Sequence, residues 1–388
     1  MKATVTALAL LGSAAAERLL LASYGTDSNL GAVTTLELYP STGSKCSRKL
    51  EVIHNSQECG SLPTWLDTSL GQNKVICLDE SGNANITTFN LQPNGSLKKI
   101  SSSPALGGAV SSATYNNGSA IALAHYGPPA ISSYSVHGNS PLQSLQNITF
   151  ADPEKIHQAV LDPTGQYMIF PSLGVDRVHV YAINPTSGQL IQLESLVSPA
   201  GYGPRHAAFW TSKQSGSTFL FVVHEFSNKI ISYKATYLAN HAGIKFTQVD
   251  EVSTYGNYTL PNRKLSASEI SISPDNAFVL AGNRNGTIFT VDNPDPKNST
   301  KVPSDSIVTY KPSADGKLKF VQLAKSGGYF PRHFQVSKDG ALIAVANQRS
   351  NNVAIYARDV KTGVIKDDKP VAGAAGLGPG DLMYITWI

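Results

Sequence analysis

Apolar residues fall in short runs cut by Pro, Gly, Asn, Asp and Ser, and the stretch His157–Leu190 shows the recurring unit most clearly. Tyr167–Phe170 and Val178–Ile183 are rich in β-branched and aromatic residues and have the length of strands. Asp162-Pro163-Thr164-Gly165 ahead of them is turn chemistry, with Pro presetting φ and Gly free to take positive φ, and Pro171–Gly174 breaks the chain between the two runs. Such a unit cannot bury both of its faces alone. It needs copies, and the chain carries them.

Segments opening at Pro63, Pro204, Ser268 and Pro331 lead into the apolar runs Lys74–Leu78, Phe219–Val223, Phe278–Gly282 and Leu342–Ala346, and a degenerate copy runs from Gly107 through Ile121–Ala124. The units start near residues 63, 107, 156, 204, 268 and 331, separations of 44, 49, 48, 64 and 63 residues, which is the period of a propeller blade or another stacked array. The two long intervals carry extra polar, turn-rich residues around 237–247 and 293–306, expected as surface excursions. No helix-period segment longer than a turn or two stands out.

Before the first unit, Leu19–Tyr24, Ala32–Tyr39 and Leu50–His54 read as three strands; at the other end a Gly/Pro-rich linker, 372–380, precedes one apolar strand, Asp381–Ile388. Three plus one make another blade, and pairing them hides the edges an open array would expose. The pattern predicts an all-β seven-bladed propeller, a single domain over 17–388 whose last blade is closed by the C-terminal strand beside the N-terminal strands.

The chain has 388 residues, 41% of them hydrophobic, enough for an extensive core, and a net charge of +4 with no run of Lys or Arg. A nucleic-acid footprint is not indicated. Residues 1–16 have one Lys, a brief apolar stretch and small residues before Glu17, the layout of a secretory signal peptide cut after Ala16. Nothing downstream reaches the length of a membrane span. Seven N-x-S/T sequons, at Asn85, Asn94, Asn117, Asn147, Asn257, Asn285 and Asn298, fit a secreted or cell-wall glycoprotein. Of the three cysteines, Cys59 and Cys77 are expected to pair, because the loop entering one strand and the end of the next antiparallel strand meet at one rim; Cys46 would be unpaired. No His/Cys spacing suggests a metal site.

In a propeller the first strand of each unit lines the central channel, and the end of the second strand is expected at the same rim. First strands supply His157, Arg205, His206, Glu269, Arg332 and His333; second-strand ends supply His125, His224, Glu225, Asn283, Arg284, Asn347 and Gln348. Several have plain structural alternatives: Arg205 and Arg332 share a Pro-Arg-His context and could bond carbonyls between blades, His157 alone could be a hydrogen-bonded channel residue, and Glu269 could simply pair with an Arg. Glu225 is harder to dismiss, since a carboxylate leaving a buried strand needs a charged partner. Asp176 and Arg177 read as structural, as do Asp162, Asp275 and Asp339 in the recurring turn.

The ordered set His157 with Asp162-Pro163-Thr164-Gly165, Leu173–Tyr181, Gly203–His206, His224-Glu225, Ser273–Asp275 with Asn283-Arg284, and Pro331–Phe334 with Ala346-Asn347 resembles the seven-bladed propeller lactonase family, which holds fungal 3-carboxy-cis,cis-muconate cyclases and a class of 6-phosphogluconolactonases. The resemblance spans essentially the whole chain after residue 16 and is closer in style to the cyclase. It implies a catalytic set of His157, Arg205, Glu225 and Arg284, no metal or other cofactor, and a small anionic substrate; His206, Glu269, Arg332, His333 and Asn347 follow as substrate-binding candidates. Arginines would clamp carboxylates bidentately while Glu225 or His157 moves a proton. The expected function is a secreted enzyme that forms or opens a lactone on a small polycarboxylate. The alternatives are an extracellular adhesin that binds matrix or host-surface ligands with little or no catalysis, and a 6-phosphogluconolactonase.

Overall fold

The structure, a computed structural model, describes residues 16–41, 48–71, 73–293 and 299–388. Residues 1–15 of the expected leader, Cys46 and Asn298 lie outside the described residues.

Seven antiparallel sheets of four or more strands follow one another around an axis. Blade 1 is Pro63–Asp67, Lys74–Asp79, Asn85–Leu91 and Leu97–Pro104, and blades 2 to 6 open with Ala109–Tyr115, Val160–Leu161, Pro204–Thr211, Ser266–Ile272 and Pro331–Val336. Blade 7 runs Leu382–Trp387, Glu17–Ser23, Ala32–Leu38, Leu50–Ser56 from the inside outward, with Leu19 opposite Trp387. The chain ends thus close the ring as the apolar pattern requires, and the first strands of successive blades touch around the axis.

The core is divided among the gaps between neighbouring blades. Phe219, Phe221, Val279 and Tyr310 fill the gap between blades 4 and 5, and Leu21, Ile385, Val353 and Ile355 the gap between blades 7 and 6. Each blade is covered on both faces, which is why second strands read as unbroken apolar runs: every residue of Thr218–His224 is buried. Each fully buried Phe, Leu or Val contributes roughly 1.5–3 kcal/mol.

The described parts of both long intervals include paired strands. Lys229–Tyr237 and Ile244–Ser253 are one lengthened hairpin, and Phe289–Asp292 with Lys301–Ser304 form a two-stranded hairpin inserted in blade 5. The recurring turn aspartates serve the turn itself: Asp162 accepts from the backbone N–H groups of Thr164, Gln166 and Tyr167. Asp176 likewise accepts from Gly201 and Gly203. Cys59 and Cys77 form a disulfide with a Cα separation of 5.9 Å, tying the exit of blade 7 to the second strand of blade 1.

Candidate active site at the propeller axis

The innermost strands share an irregularity that builds the site. Register shifts fall between Pro63 and Trp65, Ala109 and Ser111, Pro204 and His206, Ala267 and Ile270, and Pro331 and His333, with another opposite the Ala22–Ser23 step in blade 7. In a regular strand consecutive side chains point to opposite faces; a bulge sets two residues against one and re-aims them. Consecutive pairs therefore face the same way: Arg205 with His206, Arg332 with His333, Thr64 with Trp65 and Met383 with Tyr384 all line one narrow axial cavity, together with Val110, Glu269 and His157. In blade 3, His157 is held between the isolated bridge Ile156–Ser172 and the short strand Val160–Leu161, its N–H donating to the Pro171 carbonyl.

Two ionic groups meet here. In one, Glu225 Oε2 lies 3.0 Å from Arg205 Nε and 2.8 Å from Arg284 Nη2. The Arg205 Nε contact is close but misaligned for a hydrogen bond. Arg205 also donates to the Ser268 carbonyl and Arg284 to the Ala267 carbonyl, while Phe330 receives the Arg284 guanidinium on its face. In the other, His206 Nδ1 is 3.0 Å from Glu269 Oε1 and its Nε2 is 3.0 Å from His157 Nδ1; His333 Nε2 stands 3.4 Å from Glu269 Oε2. Glu269 thus pairs with imidazoles, not with an Arg. Arg332 lines the cavity half-buried, and no carboxylate among the described residues pairs with it.

The electrostatics follow from burial and crowding of cations. Burial lowers the His157 pKa well below the usual histidine value, and Arg205, His206, Arg332 and Arg284 push it further. Burial also lowers His206, against the pull of Glu269. Burial would raise Glu269, but the imidazoles of His206 and His333 and the Arg205 guanidinium more than offset it and hold the carboxyl at about 2. Glu225 behaves likewise, kept low against burial by Arg284 and Arg205. Burial, then Arg284, brings Arg205 down to about 9, so it is still a cation at neutral pH. With the imidazoles neutral, the crowded guanidinium groups of Arg205, Arg284 and Arg332 favour an anion in the remaining space.

The expectation for second-strand ends splits in two. His125 bonds the Gly107 carbonyl and Ser132, His224 bonds Ser198, Asn283 donates to the Thr254 carbonyl, and Asn347 donates to the Ser326 carbonyl. These four knit the loops of their own blades, so Asn347 does not join the axial cavity. The residue one step further on is the one that reaches the mouth: Glu225 and Arg284 at the ion pairs, Tyr126 edge-on to His157 at 5.7 Å, and Glu80 receiving the Tyr24 hydroxyl. Tyr24, Glu80 and Tyr126 were missed by sequence reasoning. Aligning the strand-end pairs His125-Tyr126, His224-Glu225 and Asn283-Arg284 is the signal that finds them.

Trp65 and Tyr384 were also missed. Their rings, 4.5 Å apart, lie between the charged cavity and a second hollow at the other end of the axis, lined by Asp67, Ser112 and Thr386. They floor the site. Another hollow beside the blade 5 hairpin contains Asp292, Asp367 and Lys369 but no imidazole. Among the described residues no cluster of His, Cys, Asp and Glu is arranged to hold a metal, and no helix is long and apolar enough to cross a membrane.

Comparison with known proteins agrees with this architecture. The family model "Lactonase, 7-bladed beta-propeller" matches residues 18–375. A protein of Arthroderma benhamiae named "Probable 6-phosphogluconolactonase" is 27% identical over 351 residues, covering 87% of this chain and 82% of that protein. A 6-phosphogluconolactonase of Formosa agariphila is 26% identical over 265 residues, 64% of this chain and 67% of its own. The solved structure of the periplasmic gluconolactonase PpgL of Pseudomonas aeruginosa superposes with a TM-score of 0.76 at 21% identity, covering 96% of this chain and 99% of that one, a likeness of fold. By the extent of the family match, the chain belongs to the seven-bladed β-propeller lactonase family.

Proposed function

We propose that this protein opens the ring of a small anionic lactone by adding water at the axial cavity. The observation that carries the reading is Arg332: a half-buried guanidinium with no carboxylate partner among the described residues, beside Arg205 and a set of neutral imidazoles, in a space floored by Trp65 and Tyr384. A phosphate or carboxylate on the substrate would supply the missing counter-charge bidentately. Arg205 and Arg284, pinned by Glu225, would stabilise the oxyanion that develops as water attacks the carbonyl. Glu225, shared by two guanidinium groups, is a poor proton carrier, which leaves His157 for acid/base work. The names of the relatives favour a phosphorylated or plain aldonolactone.

Ring closure of 3-carboxymuconate is a second reading on the same residues, since three guanidinium groups match three carboxylates. A panel of 6-phosphogluconolactone, gluconolactone, 3-carboxymuconolactone and 3-carboxymuconate decides between them. Turnover of a lactone, lost in Arg205→Ala, supports the main reading, and no turnover of any of the four removes both. We further propose that the chain is exported and glycosylated, on the strength of its leader-like start and of sequons Asn85, Asn94, Asn117, Asn147 and Asn257, all exposed.

A further inference from the structure

We propose that His157 is the general base of this site, set in that role by a proton-relay line running from Glu269 through His206. The proposal rests on the lactone reading above, and its geometry stands on its own.

A carboxylate only accepts hydrogen bonds, so His206 Nδ1, 3.0 Å from each Glu269 oxygen, carries a proton. Neutral His206 then offers a lone pair at Nε2, and His157 Nδ1, 3.0 Å away, must donate to it. The tautomer of His157 follows: its Nε2 is bare, and that atom makes no hydrogen bond with any described residue while the ring lines the cavity. Glu269 is fixed as the anionic terminus from two further sides. The Ile270 N–H donates to its Oε1 at 3.0 Å. The Ile385 N–H donates to His333 Nδ1 at 3.4 Å, placing the His333 proton on Nε2 toward Glu269 Oε2.

The groups facing His157 are Arg205, Arg284 and Arg332, whose charges disfavour its imidazolium, the neutral His206, and Tyr126, which carries Lys155 on its ring. These keep His157 unprotonated at rest, the state a base requires. In the reaction, Nε2 takes a proton from water as the new C–O bond forms and the carbonyl electron pair moves to oxygen. The imidazolium so made is stabilised through His206 by Glu269. When the ring C–O bond breaks, Nε2–H returns the proton to the departing alkoxide. Lactone and water give hydroxy acid, and His157 ends as it began. His206 and Glu269 act through His157, as positioning residues.

Two measurements test this. In ¹⁵N-histidine NMR of the wild-type protein at neutral pH, assigned with a His157→Gln sample, His157 is expected to show a protonated Nδ1 and a bare Nε2; the opposite tautomer overturns the proposal. In Glu269→Gln, where the amide oxygen still accepts from His206, kcat on the lactone substrate is expected to fall about 10²–10⁴-fold with KM nearly unchanged. The acid limb of its pH–kcat profile should move to lower pH, because losing the anion makes the imidazolium harder to form. Wild-type kcat with an unmoved limb overturns the relay, and if the variant does not fold the NMR result on the wild type still decides. An active wild type with the wrong tautomer sinks this inference alone, whereas a wild type inert on every lactone sinks the functional reading with it.

Discussion

Arg284 Nη2 lies 2.8 Å from Glu225 Oε2, two residues 59 positions apart in the chain and contributed by adjacent blades. The same oxygen serves Arg205 at 3.0 Å, so one carboxylate orients two guanidinium groups buried to within a few per cent. Removing one member of a buried pair leaves its partner charged and unpaired, at a cost of about 3–5 kcal/mol. Glu225→Gln should therefore lower the unfolding free energy by about that amount in denaturant titration, besides impairing turnover. A variant as stable as wild type would show that the two guanidinium groups find other compensation.

Arg332 is the site's uncommitted cation. Hydrogen bonds to charged groups contribute about 1.5–3 kcal/mol, so Arg332→Ala should raise KM for an anionic lactone by roughly 10- to 150-fold with little loss of stability. Arg332→Lys should recover only part of the affinity, because a point charge lacks the planar fork. Steady-state kinetics on a charged lactone and its neutral analogue make the check; the neutral analogue should be nearly indifferent to the change.

Acid should destabilise the protein in two stages. Burial lowers His125, His224 and His333 to about 4, below the unfolded value of about 6.5. Between those values the unfolded state binds more protons, so their contribution is fully present above about pH 6.5 and is lost on the way down to 4. Glu225 and Glu269 are depressed in the folded state, Glu269 to about 2. Their contribution is present above the unfolded carboxylate value of about 4.3 and fades as pH falls through the folded values. Denaturant midpoints at constant ionic strength should be level between about pH 7 and 8, decline below 6.5 and fall again below about 4.3. A midpoint unchanged from pH 7 to 4.5 would contradict the histidine part.

The Cys59–Cys77 disulfide closes a loop with a sequence separation of 18. On chain entropy it contributes about 3 kcal/mol. The double substitution Cys59→Ala with Cys77→Ala should lower the unfolding free energy by roughly that amount in non-reducing buffer while leaving kcat near wild type, since neither residue reaches the axial cavity.

Glycan occupancy should follow side-chain exposure. Asn85, Asn94, Asn117, Asn147 and Asn257 are exposed, whereas Asn285 is half-buried beside Arg284, its Nδ2 donating to the Lys264 carbonyl at 2.6 Å and its Oδ1 accepting from Tyr329. Peptide mapping of protein secreted from a eukaryotic host should find the first five sites modified to varying extents and Asn285 bare. A glycan on Asn285 would mean that this loop opens before it packs.

The apolar periodicity by itself determined the seven blades and the ring closure between Leu382–Trp387 and Glu17–Ser23, because burying both faces of every blade forces apolar residues into positions that can be counted along the chain. The resemblance to the lactonase propellers implied His157, Arg205, Glu225 and Arg284 as one set. Only the tertiary structure decided which neighbours share a face. Bulges let Arg205 and His206 both look at the axis, while regular alternation turns His224 and Asn347 back into their own blades and sends Glu225 inward. A bulge is set by the register between two strands, a property of their pairing that no single residue announces. The partners of Glu269 and the solitary charge of Arg332 depend on it in turn.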